Sequence, residues 1–375
     1  MMRTMGVEEE LLLVDAKTGE VRSSAGAVLH GDADDQLTSE LQQEQVETGT
    51  RPTDDLDDLY REIVGLRRRA AEAASPTGAL IAALGTSPLP VSPQVTLTTR
   101  YQQIVERFAL TAAEQLTCGC HVHVAVGDDE EGVAVLDRIR IWLPTLLALS
   151  ANSPYWQGAD TGYASFRSQV LSRWPSSGPP PIFGSAEAYH SLIEGLIRSG
   201  TLLDDGMIYF DARLSANYPT VELRAADVCR YPEDAALIAA LARGLVQTAS
   251  RDWKAGHPPS DMPTELLRVA TWRAGRSGLA GELVHPRTGR PTAAAEVVAD
   301  LIDHVSGALS DSDDHSVVED LLASLMERGN GARAQRETFA RTNDLSAVVL
   351  EAVADGAGRE GPLGSVLGTR PVQGR

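Results

Sequence analysis

Lysine is almost missing from this chain. Of 33 basic residues in a length of 375, only Lys17 and Lys254 are lysines; the other 31 are arginines. Lys17 lies in the turn-like Asp15-Ala16-Lys17-Thr18-Gly19, and Lys254 borders a Gly/Pro-rich loop. A GxxxxGK[ST] phosphate loop is therefore absent, as is a kinase-type V-A-I-K strand. Schiff-base chemistry would fall to two poorly placed lysines. A nucleotide, if bound, would have to be met by arginine and metal. Cysteine is also scarce: Cys118, Cys120 and Cys229 are too few for a disulfide framework. The first residues lack a basic-then-apolar leader pattern. The most apolar stretch, Ile141 to Leu149, is nine residues long, contains Pro144 and is too short to span a bilayer. A cytoplasmic chain without membrane partners is expected. Positive charge is outweighed, 52 acidic residues against 33 basic, for a net charge of −19. Such a field disfavours nucleic acid and anionic membrane. Small-molecule substrates are expected instead.

What is present is ordinary for a globular chain: 43% apolar and 23% charged residues, enough to bury a core. At roughly 100–200 residues per domain, the length fits one large domain or two. Gly6 to Asp15 reads as a strand. Thr53 is the expected cap of an amphipathic helix with Leu56, Leu59, Tyr60, Ile63 and Leu66 on its buried stripe. Ala79 to Leu84 reads as a covered strand. A helix near 100–116 should lead into a strand at 118–126, followed by one long helix. Further strands are expected at 207–214 and 220–228. From 233 onward the pattern is helical, over 233–250, 264–274, 293–309, 317–328 and 332–353. Residues 1–355 are expected to form one catalytic domain, and 356–375, rich in Gly, Pro and Arg, a disordered tail. Strands early and helices late predict an α+β fold.

Residues two apart on a strand share a face. In Gly6-Val7-Glu8-Glu9-Glu10-Leu11, Glu8 and Glu10 therefore share one face and Glu9 takes the other. Glutamates so close repel, and a divalent cation is one way to compensate; a solvent-facing strand edge is the plainer reading. In Cys118-Gly119-Cys120-His121-Val122-His123-Val124, both histidines share a face, and the thiols lie opposite with the valines. A zinc site would need a bulge at Gly119 to bring thiols and imidazoles together. The plainer alternative is a pair of partly buried histidines bonded to carboxylates. Pro219-Thr220-Val221-Glu222-Leu223-Arg224 places Glu222 and Arg224 together, and Tyr209-Phe210-Asp211-Ala212-Arg213 does the same for Asp211 and Arg213. Glu40 and Glu47 add further acid. Carboxylates, imidazole and arginine on one side of a sheet suit a hard divalent metal and phosphate oxygens, and Mg·ATP is the natural occupant. Periodicity does not establish that these strands are neighbours.

These segments, in this order and spacing, resemble the type 2 glutamate–cysteine ligase family of bacterial carboxylate–amine ligases. The resemblance rests on Gly6-Val7-Glu8-Glu9-Glu10-Leu11, Gln45-Val46-Glu47, Gly119-Cys120-His121-Val122-His123-Val124 and Pro219-Thr220-Val221-Glu222-Leu223-Arg224. Leu147-Ala148-Leu149-Ser150-Ala151-Asn152-Ser153-Pro154, Thr161-Gly162-Tyr163-Ala164-Ser165-Phe166-Arg167 and Gly329-Asn330-Gly331-Ala332 extend it from about residue 5 to 350. It implies a glutamine-synthetase-like fold whose curved, mainly antiparallel sheet holds the site. It further implies ATP-dependent amide formation, typically at the γ-carboxylate of glutamate, through an acyl phosphate, with L-cysteine or another amine as acceptor. By position it implies a metal shell of Glu8, Glu10, Glu40, Glu47, His121 and Glu222 for Mg²⁺, with Mn²⁺ as a substitute. Arg224, Glu47 and Glu222 are implied to carry catalysis, Arg224 at the transferring phosphoryl group. His123, Arg167 and Arg213 are placed with Arg224 at nucleotide or substrate contacts, and Glu9 is structural. A homodimer is compatible with the family. Leu214, Asn217 and Ala334 depart from residues common in relatives, which bears on substrate identity. Other readings are a phosphotransferase on a related scaffold, a metal-dependent hydrolase using His121 and the glutamates, and a non-catalytic binding protein.

Overall fold

The computed structural model describes residues 2–32, 36–358 and 361–364. Its first half runs β1 (Met5–Asp15), α1 (Ala25–Gly31), β2 (Leu37–Ser39), β3 (Gln45–Gly49), α2 (Leu56–Ala74), β4 (Ala79–Ala82), α3 (Thr99–Phe108), α4 (Leu110–Ala113) and β5 (Gly119–Ala125). There follow α5 (Asp129–Ile139), α6 (Leu143–Ser150), β6 (Tyr155–Trp156), β7 (Ala159–Asp160), α7 (Arg167–Leu171), α8 (Ala186–Arg198), β8 (Ala212–Leu214) and β9 (Thr220–Asp227). The remainder is α9 (Pro232–Lys254), α10 (Thr264–Ser277), β10 (Glu282–Val284), β11 (Pro291–Ala293), α11 (Ala294–Asp311), α12 (His315–Arg328), α13 (Gly331–Thr342) and α14 (Leu345–Gly356). Among the described residues, seven strands form the main sheet in the order β2-β3-β1-β5-β9-β8, with β4 also on β1. Every pairing in it is antiparallel. The architecture is the α+β arrangement expected.

Alternation along these strands separates two chemistries. Val7, Cys120, Val122, Val124, Val221 and Leu223 point to one side and pack in a single core with Leu56, Leu59, Tyr60 and Ile63 of α2 and most of α9. Glu9 points the same way and is almost fully buried. Its carboxylate takes two hydrogen bonds from Arg67 of α2, Nε to Oε2 at 2.7 Å and Nη2 to Oε1 at 2.6 Å. Arg67 also donates to the carbonyls of Cys229, Arg230 and Gly356. This buried pair ties strand, helix and C-terminal segment together, the structural role expected of Glu9. Cys118, Cys120 and Cys229 are free and buried. No cation-competent cluster among the described residues contains a cysteine.

Several boundaries differ from the sequence expectation. Thr53 is not the helix cap: its backbone exchanges hydrogen bonds with Met5, so the chain stays extended, and Asp55 caps α2 by accepting from the Asp58 amide. The helix expected over 100–116 is broken at Ala109, whose φ is +47°. The long helix after β5 is also two. At its break, Arg140 is fully buried and donates to the carbonyls of Pro180 and Met262 and to Thr264 Oγ1, while Pro144, without an amide hydrogen, lies in the first turn of α6. The helix over 332–353 divides at Asn343, a left-handed residue ending α13. The strand expected at 207–214 is only three residues long, because 205–207 form a 3₁₀ turn. Helix α8 and the β10–β11 hairpin were not anticipated. Residues 359–360 and 365–375 of the expected tail lie outside the described residues. Leu363 within it is fully buried, its amide donating to Asp57 Oδ1 at 2.9 Å.

Candidate active site

Antiparallel register converts alternation along each strand into rows across the sheet. Glu10 of β1 lies opposite Glu47 of β3, which lies opposite Thr38 of β2. Glu8 lies opposite His121 of β5. His123 lies opposite Glu222 of β9, which lies opposite Arg213 of β8. All these side chains except Thr38 line one cleft of about 870 Å³ on the face turned away from α2 and α9. Glu40, in the loop between β2 and β3, joins them. The register shifts between Cys120 and Val122, where β9 carries one residue more than β5. This bulge is in β9 near Arg224, not at Gly119, and both Arg224 and Ala225 line the cleft.

Among the described residues, three groups could hold a cation: Glu8, Glu47 and His121; Glu8, His123 and Glu222; Glu10, Glu40 and Glu47. In each, one donor atom per residue lies within 4.8 Å of the others. The six residues expected to form a metal shell are thus brought together, and His123, read as a nucleotide or substrate contact, stands among them. Burial alone would raise Glu8, but the imidazoles of His121 and His123 hold its carboxyl well below the usual range. Those rings sit 3.7 Å and 3.3 Å from its oxygens. Glu47 is pushed up by burial and by the charges of Glu40, Glu8 and Glu10. Burial, and then Glu10, push Glu40 up to about 7. His121 is shifted down by burial and by Arg224, which keeps it neutral and able to ligate.

Such a set fits a hard divalent cation. Oxygen donors dominate, Glu40 and Glu47 are pushed up by burial and neighbouring carboxylates even with Arg224 near Glu40, and the buried Nε2 of His123 faces Glu8 at 3.3 Å without forming a hydrogen bond. A pH dependence follows. A carboxyl raised from 4.5 to about 7 in the fold favours the folded state below its unfolded pKa, and that contribution is lost as pH rises through about 7. In chelator-treated protein, the cluster is expected to depress the melting temperature progressively over this window. Added Mg²⁺ should then raise the melting temperature more at pH about 8 than at pH about 5. An equal or absent effect at both would remove the cluster as a cation site.

The arginines divide by role. Glu222, 2% exposed, is held from both sides: Arg213 Nε donates to Oε2 at 2.8 Å, and Arg224 donates a short bond to Oε1. Burial would raise Glu222, but Arg224 and Arg213 hold it well below the usual range. Arg167 is nearly covered at the cleft floor, 3.8 Å from Asp227 Oδ1, with its Nε unpartnered. Gly119 leaves room for its guanidinium, since a Cβ there would come within 2.2 Å of Arg167 Nη2 and displace it. The Gly119 amide donates to Glu10 Oε2 at 2.6 Å, which fixes that carboxylate.

Other walls of the cleft went unassigned from sequence. Arg100 and Tyr101 reach it from α3, Tyr209 and Asp211 from the segment before β8, and Arg268, Thr271 and Trp272 from α10. Only Asp211 had a signal, its alternation with Arg213. The others lie on helices and loops whose approach to the sheet is set by packing. No described helix is long and apolar enough to cross a membrane.

A family model described as glutamate-cysteine ligase family 2 matches residues 4–361. A Streptomyces avermitilis protein named "Putative glutamate--cysteine ligase 2-1" is 54% identical over 357 residues, covering 94% of this chain and 99% of that one. A Streptomyces coelicolor protein named "Putative glutamate--cysteine ligase 2" is 51% identical, covering 94% and 98%. Among solved structures, a bifunctional glutathione synthetase from Pasteurella multocida superposes with a TM-score of 0.69 at 15% identity. It matches 95% of this chain, which spans only 52% of that longer protein. The glutamate–cysteine ligase of Francisella tularensis in complex with AMP gives 0.67 at 14% identity, over 98% and 92%. At such identities these likenesses show the fold alone, which this chain shares with both ligases.

Proposed function

The chain belongs to glutamate–cysteine ligase family 2 and is a carboxylate–amine ligase, and from that premise we propose that it forms a γ-glutamyl amide from L-glutamate and an amine at the expense of ATP. The observation that carries this reading is the convergence of Glu8, Glu10, Glu40, Glu47, His121 and Glu222 with Arg213 and Arg224 on one cleft face. A carboxylate oxygen attacks the terminal phosphorus of ATP, the bond to the bridging oxygen breaks, and ADP leaves. The amine nitrogen then attacks the acyl phosphate carbon, and phosphate departs. The first step brings two anions together, so charge must be neutralised where they meet. In this reading Arg224 contacts the transferring phosphoryl group, and Arg213, Arg167 and His123, which line the same cleft, serve nucleotide or substrate. Mg²⁺, or Mn²⁺ in its place, would be held by the six metal-shell residues and would supply neutralisation of the triphosphate and orientation of its oxygens. Residues 1–355 would act as one catalytic domain. A cleft of about 870 Å³ has room for a nucleotide and a small acid.

The test is Mg²⁺-dependent ADP release with L-glutamate against a panel of amino acids and amines that includes L-cysteine. ADP release that requires both a carboxylate and an amine, with the matching amide by mass spectrometry, is expected. A stable phosphorylated product formed without amine would point to a phosphotransferase. Turnover without nucleotide would point to a hydrolase. Either would overturn the reading.

A further inference from the structure

An amine acceptor reaches a ligase at neutral pH as an ammonium ion, whose lone pair is occupied by a proton. Something must hold that cation and remove the proton before nitrogen can attack. Three of the metal-shell carboxylates have protein partners, Glu222 clasped by two arginines, Glu8 against two imidazoles and Glu10 accepting from the Gly119 amide, while Glu40 and Glu47 belong with Glu10 to a cation-competent group.

Asp211 is different. It lines the same cleft, yet its Oδ2 is buried without any hydrogen-bond partner. A desolvated carboxylate oxygen with no donor is costly, and natural structures keep few of them. Its backbone is pinned, the amide donating to the Gly178 carbonyl at 2.9 Å and the carbonyl accepting from the Arg224 amide at 2.8 Å. This ties the Asp211 backbone to that of Arg224, the residue assigned to the phosphoryl group. From α10, Arg268 and Thr271 face the same cleft, three residues apart and so on one side of the helix. Thr271 Oγ1 is likewise buried and unpartnered. A carboxylate and a hydroxyl, both lacking donors, line a cleft that must accept a cationic nitrogen.

We propose that Asp211 is the seat of the acceptor's ammonium group and the base that deprotonates it, with Thr271 Oγ1 as a second acceptor for the same nitrogen. This rests on the ligase reading. The Asp211 carboxylate takes one proton from the ammonium and becomes the neutral acid. The freed lone pair forms the C–N bond at the acyl carbon, the bond from that carbon to the phosphate oxygen breaks, and the departing phosphate takes the second nitrogen-bound proton. Burial pushes the Asp211 carboxyl up to about 7 against the pull of Arg167 from α7 and Arg268 from α10. A base poised near neutrality is suited to the transfer.

The experiment compares two nucleophiles in the full-length protein with Mg·ATP and L-glutamate. One is the best amine of the panel, cationic at neutral pH. The other is hydroxylamine, largely uncharged there and needing no base. Asp211→Asn is expected to lower amide formation with the cationic amine by about 100-fold. Hydroxamate formation from hydroxylamine should stay within about threefold of wild type, which also shows that the variant is folded and still activates the carboxylate. Thr271→Val should raise KM for the amine with little change in kcat. Equal loss with both nucleophiles, or undiminished turnover with the amine, would overturn the assignment. If the wild-type protein itself makes neither amide nor hydroxamate, the γ-glutamyl reading fails, and this inference with it.

Discussion

Glu47→Gln is expected to lower kcat by at least about 100-fold, and to do so without weakening the fold. Glu47 stands in two of the three cation-competent groups, opposite Glu10 and beside Glu40. Its charge is opposed by burial and by three neighbouring carboxylates. Neutralising it relieves that repulsion, so the chelator-treated variant should melt at or above the wild-type temperature while its turnover is nearly lost. Glu222→Gln makes the contrast. It should lose turnover to a similar extent but melt lower, because Arg213 and Arg224 are left with a neutral partner in a buried place. Melting curves with and without Mg²⁺, read beside steady-state rates, separate the two behaviours. Wild-type rates in both variants would remove these residues from the site.

The second large effect is expected at Arg224. Arg224→Lys keeps the charge but replaces a planar fork by a single ammonium. In the structure one nitrogen of that fork binds Glu222 Oε1, which leaves others for a second partner. Burial would lower the Arg224 guanidinium, yet Glu222 holds it above its ordinary value, so it stays charged. Lysine can satisfy Glu222 or a phosphoryl oxygen but is poorly built to bridge both. A fall in kcat of about 100- to 1000-fold is expected, with nucleotide affinity, measured by calorimetry in the absence of acid and amine, mostly retained. Unaltered turnover would refute contact with the transferring group. Equal loss of binding and turnover would make Arg224 a nucleotide anchor only.

Much of this site was legible because strands alternate. Glu8 and Glu10 against Glu9, His121 and His123 against the valines, and Glu222 and Arg224 against Leu223 were each sorted to a face by backbone geometry alone. The burial of Glu9 on Arg67 follows from that sorting. Helix interruptions were not legible. Ala109 and Asn343 adopt positive φ without a glycine to announce it. Asp211 carried the right pattern but no indication that its carboxylate lacks a donor. Thr271 and Arg268 carried none.

By itself the sequence determined the face of each charged strand residue, the α+β class and, through the ordered segments, the family. These depend on local geometry, repeated every two residues, and on motifs that persist along the chain. Only the tertiary structure decided that Glu10 meets Glu47, that Glu8 meets His121, that Glu222 is clasped between Arg213 and Arg224, and that α10 faces Asp211. Antiparallel pairing joins residues tens to hundreds of positions apart, and its register is set by how the apolar faces of β1, β5 and β9 pack on α2 and α9. A slip of one residue would turn every one of these carboxylates into the core. The site is therefore specified by the burial of the opposite face.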